Sequence, residues 1–164
     1  LPGSAQQARF TLTYLEPDAV AGIRLFACIH HTPDLVWRPE YLGHPNAATA
    51  ISHLTIAVDD PVAAASAYGR VTGTTPVTRP GGMDVPGPRA TIRLITPAQA
   101  ATDYAGDPVL DYRRPVPIGF GFKVSDRRAT KAALDASGVP IRTLENGGIR
   151  VASAYACGVA LDFA

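Results

Sequence analysis

The sequence has no cysteine pair, no long apolar run and no excess of charge of either sign. Cys28 and Cys157 lie far apart and form no CxxC. Two reduced, partly buried thiols are therefore expected rather than a disulfide or a cysteine-based metal knuckle. No apolar stretch approaches the roughly 20 residues that a membrane-spanning helix needs, and no signal-peptide pattern opens the chain. A cytoplasmic protein with no membrane partner is expected. Fifteen basic against 14 acidic side chains leave a net charge of +1. With no basic run to upset that balance, nothing favours nucleic acid. Nucleotide-loop and hydrolase motifs are missing too. Gly81-Gly82 and Gly147-Gly148 precede strands rather than a helix with Lys, and no GxSxG occurs.

What is present is enough apolar material, 46% of 164 residues, for one compact domain with a real core. The organising stretch is Ile51 to Gly73. Leu54, Ile56 and Val58 alternate as one face of a strand. Asp59-Asp60-Pro61 then supplies an N-cap acid followed by proline at the first helical position. Ala64, Ala67, Tyr68 and Val71 make an apolar helical stripe, which Gly73 ends. The same grammar returns between Ile118 and Gly138. Setting Val58 on Val124 places Asp60 on Asp126 and Tyr68 on Leu134, so the chain is built from a repeated module.

Read in order, Arg9 to Leu15 and Ile23 to Ile29 alternate as two strands of a hairpin, turning at Glu16-Pro17-Asp18 and Gly22. His30 to Asn46 is irregular and carries three of the four histidines. After the first strand and helix come short strands near Pro76 to Arg79 and Met83 to Val85, then Ala90 to Ile95. Thr96 to Pro117 reads as a linker without a sustained period. The second unit follows as a strand to Val124, a helix from Arg127 to Ser137 and strands over Val139 to Leu144, Ile149 to Ala154 and Gly158 to Phe163. Asn146-Gly147 is a hairpin turn signal within it. The expected fold is α+β, with two tandem β-α-β-β-β modules preceded by a β-hairpin. Its divisions are 1–50 (hairpin and His/Pro-rich connection), 51–97, a linker over 98–116, and 117–164.

HLTIAVDDPVAAASAYGRVTG at His53 to Gly73, FKVSDRRATKAALDASGV at Phe122 to Val139 and the closing GVALDF together resemble the vicinal oxygen chelate superfamily. That group includes glyoxalase I, extradiol dioxygenases and the bleomycin resistance proteins. LFACIHHTPDLVWRPEYLGHPNAA at Leu25 to Ala48 is similar to a signature of a glyoxalase-like subgroup in which further modules precede this segment. The resemblance implies a curved mixed sheet and makes the hairpin the tail of an earlier module. A chain starting at Leu1 agrees with that expectation, as does a homodimer or pairing with a missing N-terminal module. It also implies a small oxygen-rich metabolite bound in the inter-module cleft by a metal-dependent lyase, isomerase or dioxygenase. The alternative is a metal-free binding or resistance-type module, or a non-catalytic part of a larger protein.

In the superfamily a divalent metal takes His or Gln from the first strand and Glu from the last strand of each module. The matching positions here are His53, Arg93, Gly119 and Asp162. His53 and Asp162 suit Zn, Fe, Mn or Ni, but they lack a third ligand, and Arg93 is a permanent cation. The site is thus read either as an incomplete metal centre or as a metal-free pocket whose floor is an Arg93–Asp162 pair, with His53 a hydrogen-bonded strand residue. The second candidate is the histidine segment, where His30, His31, Trp37 and His44 are expected to bind ligand over the cleft. His31 and His44 with Asp34 or Glu40 allow an alternative metal set. In the plainer reading Thr32-Pro33-Asp34 starts a short helix, Trp37 plugs the core and His44-Pro45-Asn46 is a turn.

Overall fold

The structure, a computed structural model, describes residues 6–16, 19–20, 23–107 and 116–164. Strands β1 (Phe10–Tyr14) and β2 (Phe26–His30) form a separate antiparallel hairpin. The first module follows as β3 (Ala48–Ala57), α1 (Pro61–Thr72), β4 (Val77–Arg79), β5 (Gly82–Pro86) and β6 (Thr91–Ile95). After α2 (Pro97–Asp103) the second comprises β7 (Val116–Val124), α3 (Arg127–Ala136), β8 (Ile141–Thr143), β9 (Ile149–Val151) and β10 (Ala160–Phe163). All eight module strands share one mixed sheet in the order β4-β5-β6-β3-β7-β10-β9-β8. Each first strand lies parallel to the last strand of its own module, and the two first strands meet antiparallel at the centre. The expected α+β architecture of two β-α-β-β-β modules with a preceding hairpin is therefore present.

Local chemistry explains the helices. Asp60 Oδ1 accepts hydrogen bonds from the Val62 and Ala63 amides at 3.0 Å each, Pro61 opens α1, and Gly73 closes it with φ of 69°. Asp126 caps α3 in the same way, through the amides of Arg128 and Ala129 at 2.8 and 3.3 Å. These caps satisfy amides that have no partner inside the helix. Leu94, Ile95, Ile56 and Ile118 are almost completely buried. One apolar cluster lies between α1 and the first module's strands, and another around Ile149, Val151 and Phe163 in the second.

A central cluster joins the modules, and it depends on the segment read as a linker. Residues 97–103 of that segment are helical. Thr96 Oγ1 caps the helix by accepting from the Gln99 amide at 3.1 Å, and Pro97 occupies its first turn. At seven residues, α2 is too short to show a period. Its Ala100 packs with Ala57, Ile95, Ile118 and Ala160, and Tyr104 completes the cluster. The remainder of the segment, 108–115, lies outside the described residues, as do Pro17, Asp18 and Gly22 of the expected hairpin turn.

Three smaller expectations are corrected. The strand expected over Ile149 to Ala154 ends at Val151, because Ser153 turns to bind the Asp107 carboxylate through its amide (2.7 Å) and its hydroxyl. Trp37 does not plug the core but is 61% exposed, and Thr32 spends its hydroxyl on the Arg9 amide rather than on a helix cap. Cys28 and Cys157 are free and exposed rather than partly buried. Among the described residues, no helix is long and apolar enough to cross a membrane.

Replacing the α3 cap, Asp126→Ala, should cost about 1 kcal/mol of stability in urea denaturation. Leu94→Ala, which opens a hole in the tightest part of the core, should cost about 2–5 kcal/mol. A cap variant as damaging as the core variant would contradict this account of the helix.

Candidate functional site

The register of β3 against β7 sets the floor of the cleft. His53 lies opposite Gly121, Leu54 opposite Phe120 and Thr55 opposite Gly119. Because side chains alternate across a strand, His53 and Thr55 share one face while Leu54 and Ile56 point to the helices. Both glycines make room for a neighbour. A Cβ on Gly121 would run into the His53 imidazole and the Ser52 hydroxyl, and one on Gly119 would run into the Tyr104 phenol. Tyr104, delivered by α2, thus fills the space that a first-strand side chain of the second module would occupy. Its hydroxyl hydrogen-bonds Thr55, and burial raises the phenol's pKa.

Asp162 does not pair with Arg93. Strands β6 and β10 are separated by β3 and β7, which puts their backbones about 14 Å apart. Asp162 instead faces Arg150 directly across the β9–β10 ladder. Nε and Nη2 of Arg150 donate to the two Asp162 oxygens at 2.6 and 2.7 Å, a bidentate pair of the strong, geometrically specific kind. Arg150 also lies over the Tyr104 ring, its Cζ 4.1 Å from the centroid, and donates to the Asp103 carbonyl. Burial works against its charge, but the Asp162 contact outweighs that and holds Arg150 protonated.

Arg93 belongs to a different cluster. Across the β5–β6 ladder it faces Asp84, whose Oδ1 is 4.0 Å from Arg93 Nε and 3.4 Å from Arg79 Nε. Arg93 Nη1 contacts His53 Nε2 at 3.0 Å, and His53 Nδ1 contacts Ser52 Oγ at 2.9 Å. An arginine only donates, so Nε2 accepts and the ring proton sits on Nδ1. His53 is buried. Burial first, and the Arg93 charge second, push its pKa from 6.5 down to about 4. It is neutral at ordinary pH.

Two adjoining pockets of about 220 and 200 Å3 result, sharing Arg93, Leu144, Asn146 and Asp162. His53 lines one, and Thr55, Arg79, Tyr104 and Arg150 line the other. His30, His31, Trp37 and His44 line neither. His30 is sandwiched by Phe10 and Trp37 on the hairpin, with ring centroids 4.8 and 5.8 Å away. The His31 ring meets the Thr11 hydroxyl at 2.7 Å, and His44 Nδ1 accepts from the Asn46 amide in a turn. So the cleft unites Arg93, His53 and Asp162 and leaves the histidine segment apart. It also adds Arg150, Tyr104, Arg79 and Asp84, which the spacing of motifs did not single out.

A divalent ion does not fit these side chains. The His53 nitrogen that would ligate faces a guanidinium, Asp162 is bound at both oxygens by Arg150, and a phenol fills the space over Gly119. Among the described residues, no three His, Cys, Asp or Glu side chains converge.

The fold built this way is that of the vicinal oxygen chelate superfamily. Methylmalonyl-CoA epimerase from Mycobacterium tuberculosis superimposes with a TM-score of 0.54 at 23% identity, covering 75% of this chain and 91% of that one. A hypothetical protein from Bacillus halodurans C-125 gives 0.50 at 15% identity over 69% and 91% of the two chains. No family model and no curated protein matches the sequence.

The depressed pKa of His53 makes a stability prediction. The unfolded histidine takes up its proton near pH 6.5 and the folded one only near pH 4. The unfolded state therefore binds more protons in that window, and stability falls as the pH drops through it. Denaturation curves of the wild type and His53→Gln should diverge between pH 6.5 and 4, the wild type losing more. Parallel curves would show that His53 titrates normally.

Proposed function

We propose that the inter-module cleft binds a small, oxygen-rich metabolite as its carboxylate or enolate anion, held by Arg93 without a divalent ion. The observation that carries this reading is the charge balance around Arg93. Asp162 is committed to Arg150, whereas Arg79 and Arg93 share the single carboxylate of Asp84. Neither arginine has a carboxylate to itself, and Asp103, which lines the same pocket, accepts from Gln99 instead. Arg93 Nε is moreover buried with no hydrogen-bond acceptor in reach, and a buried unpaired donor costs about 1–3 kcal/mol. A ligand carboxylate supplies both the charge and the acceptor. The epimerase of like fold is named for methylmalonyl-CoA, a thioester with a free carboxylate and so a member of the same ligand class.

The reading favours binding over turnover. A proton-abstracting base needs a free lone pair near its substrate. The His53 lone pair accepts from Arg93 and both Asp162 oxygens accept from Arg150, while Asp84 lies between two guanidinium groups, 3.4 and 4.0 Å from its Oδ1, although that oxygen accepts no hydrogen bond. Arg93 would orient the anion, Tyr104 and Thr55 would bound it on the glycine side, and Asn146 would offer an amide at the rim.

Isothermal titration with malonate tests this. The wild type should bind, Arg93→Ala should weaken binding about tenfold or more, and EDTA should leave the affinity unchanged. Binding abolished by EDTA, or raised by added zinc or nickel, would favour a metal-dependent cleft and sink this proposal.

A further inference from the structure

One cavity does not open into the cleft. It measures about 310 Å3 and lies on the opposite, helix-covered face of β3. Ile56 and Val58 form its floor, and Val20 and Ile23 wall it from the connection that leads into β2. The remaining wall is α1. That helix presents Ala63, Ala64 and Ala67 to the cavity where larger residues would close it. The space exists because these side chains are small.

Tyr68 makes this more than a packing fault. It is 3% exposed, it lines the cavity, and its hydroxyl is buried without a hydrogen-bond partner among the described residues. Buried hydroxyls are ordinarily paired, and leaving one unpaired costs about 1–3 kcal/mol. Burial pushes the phenol's pKa up to about 12, so the group keeps its proton and is a donor in want of an acceptor. An engineered apolar cavity of about 150 Å3 takes up benzene, and this one is twice that size. At its mouth stand the exposed side chains of Asp59, Asp60 and Arg70. Two carboxylates against one guanidinium disfavour an anionic guest.

We infer that this cavity is a second small-molecule site, which takes a neutral, mostly apolar ligand bearing one carbonyl or ether oxygen that accepts from the Tyr68 hydroxyl. It is independent of the anion site, since the sheet separates the two and they share no lining residue. The cleft would read charge. The cavity would read shape and a single acceptor.

Acetophenone and ethylbenzene, alike in shape but only the first with an acceptor, serve as probes in titration calorimetry backed by ligand-observed NMR. The wild type should bind acetophenone about tenfold more tightly than ethylbenzene. Tyr68→Phe should erase that preference while leaving ethylbenzene and the malonate affinity of the cleft unchanged. Ala67→Leu, which fills the cavity, should abolish binding of both probes. The inference is overturned if neither probe binds, if Tyr68→Phe keeps the preference, or if a folded Ala67→Leu still binds acetophenone. Because malonate is followed in the same samples, failure here is distinguishable from failure of the anion site.

Discussion

Two glycines set the character of the cleft. The first strands of the modules pair antiparallel with Leu54 opposite Phe120, residues that the internal repeat makes equivalent, so the axis relating the modules passes between them. On either side of that axis His53 meets Gly121 and Thr55 meets Gly119. With no Cβ at 119 or 121, the phenol and the imidazole occupy the space a side chain would take there. The seats of His53 and Tyr104 both follow from that register.

The modules repeat in backbone but not in charge. In the first, Asp84 on the penultimate strand faces Arg93 on the last. In the second, Arg150 on the penultimate strand faces Asp162 on the last. Quality differs along with polarity. The second pair is bidentate at 2.6 and 2.7 Å, whereas the first is stretched to 4.0 Å and shared with Arg79. One half of the cleft is closed on itself and the other half has donors to spare.

Much of the fold was legible because capping chemistry is local. Asp60-Pro61, Asp126 and the glycines at 73 and 138 announce two helices within a few residues of their ends. Thr96-Pro97 carries the same kind of signal, yet α2 went unread because seven residues cannot establish a period. The site was only half legible. Aligning the modules finds His53, Arg93 and Asp162, but alignment identifies equivalent positions, and equivalence across an axis is separation rather than contact. The true partners, Asp84 and Arg150, are found by pairing neighbouring strands, β5 with β6 and β9 with β10. Tyr104 was invisible for a different reason. Its place in the cleft depends on a loop geometry that strand patterns do not encode.

The reversed charges have a consequence for how such a cleft can change over time. A carboxylate at Arg93 alone would face Asp84 across the ladder, like charge against like. A histidine at Gly119 alone would strike the Tyr104 phenol. Freeing Asp162 alone would strand Arg150 as a buried, uncompensated cation, a state that costs several kcal/mol. Each single step toward a four-ligand metal centre is thus worse than the starting point, and only concerted replacement at several positions crosses between them. The present arrangement is insulated from a metal-binding one by a barrier of unfit intermediates. Drift within it is confined to changes that keep the guanidinium groups supplied with partners.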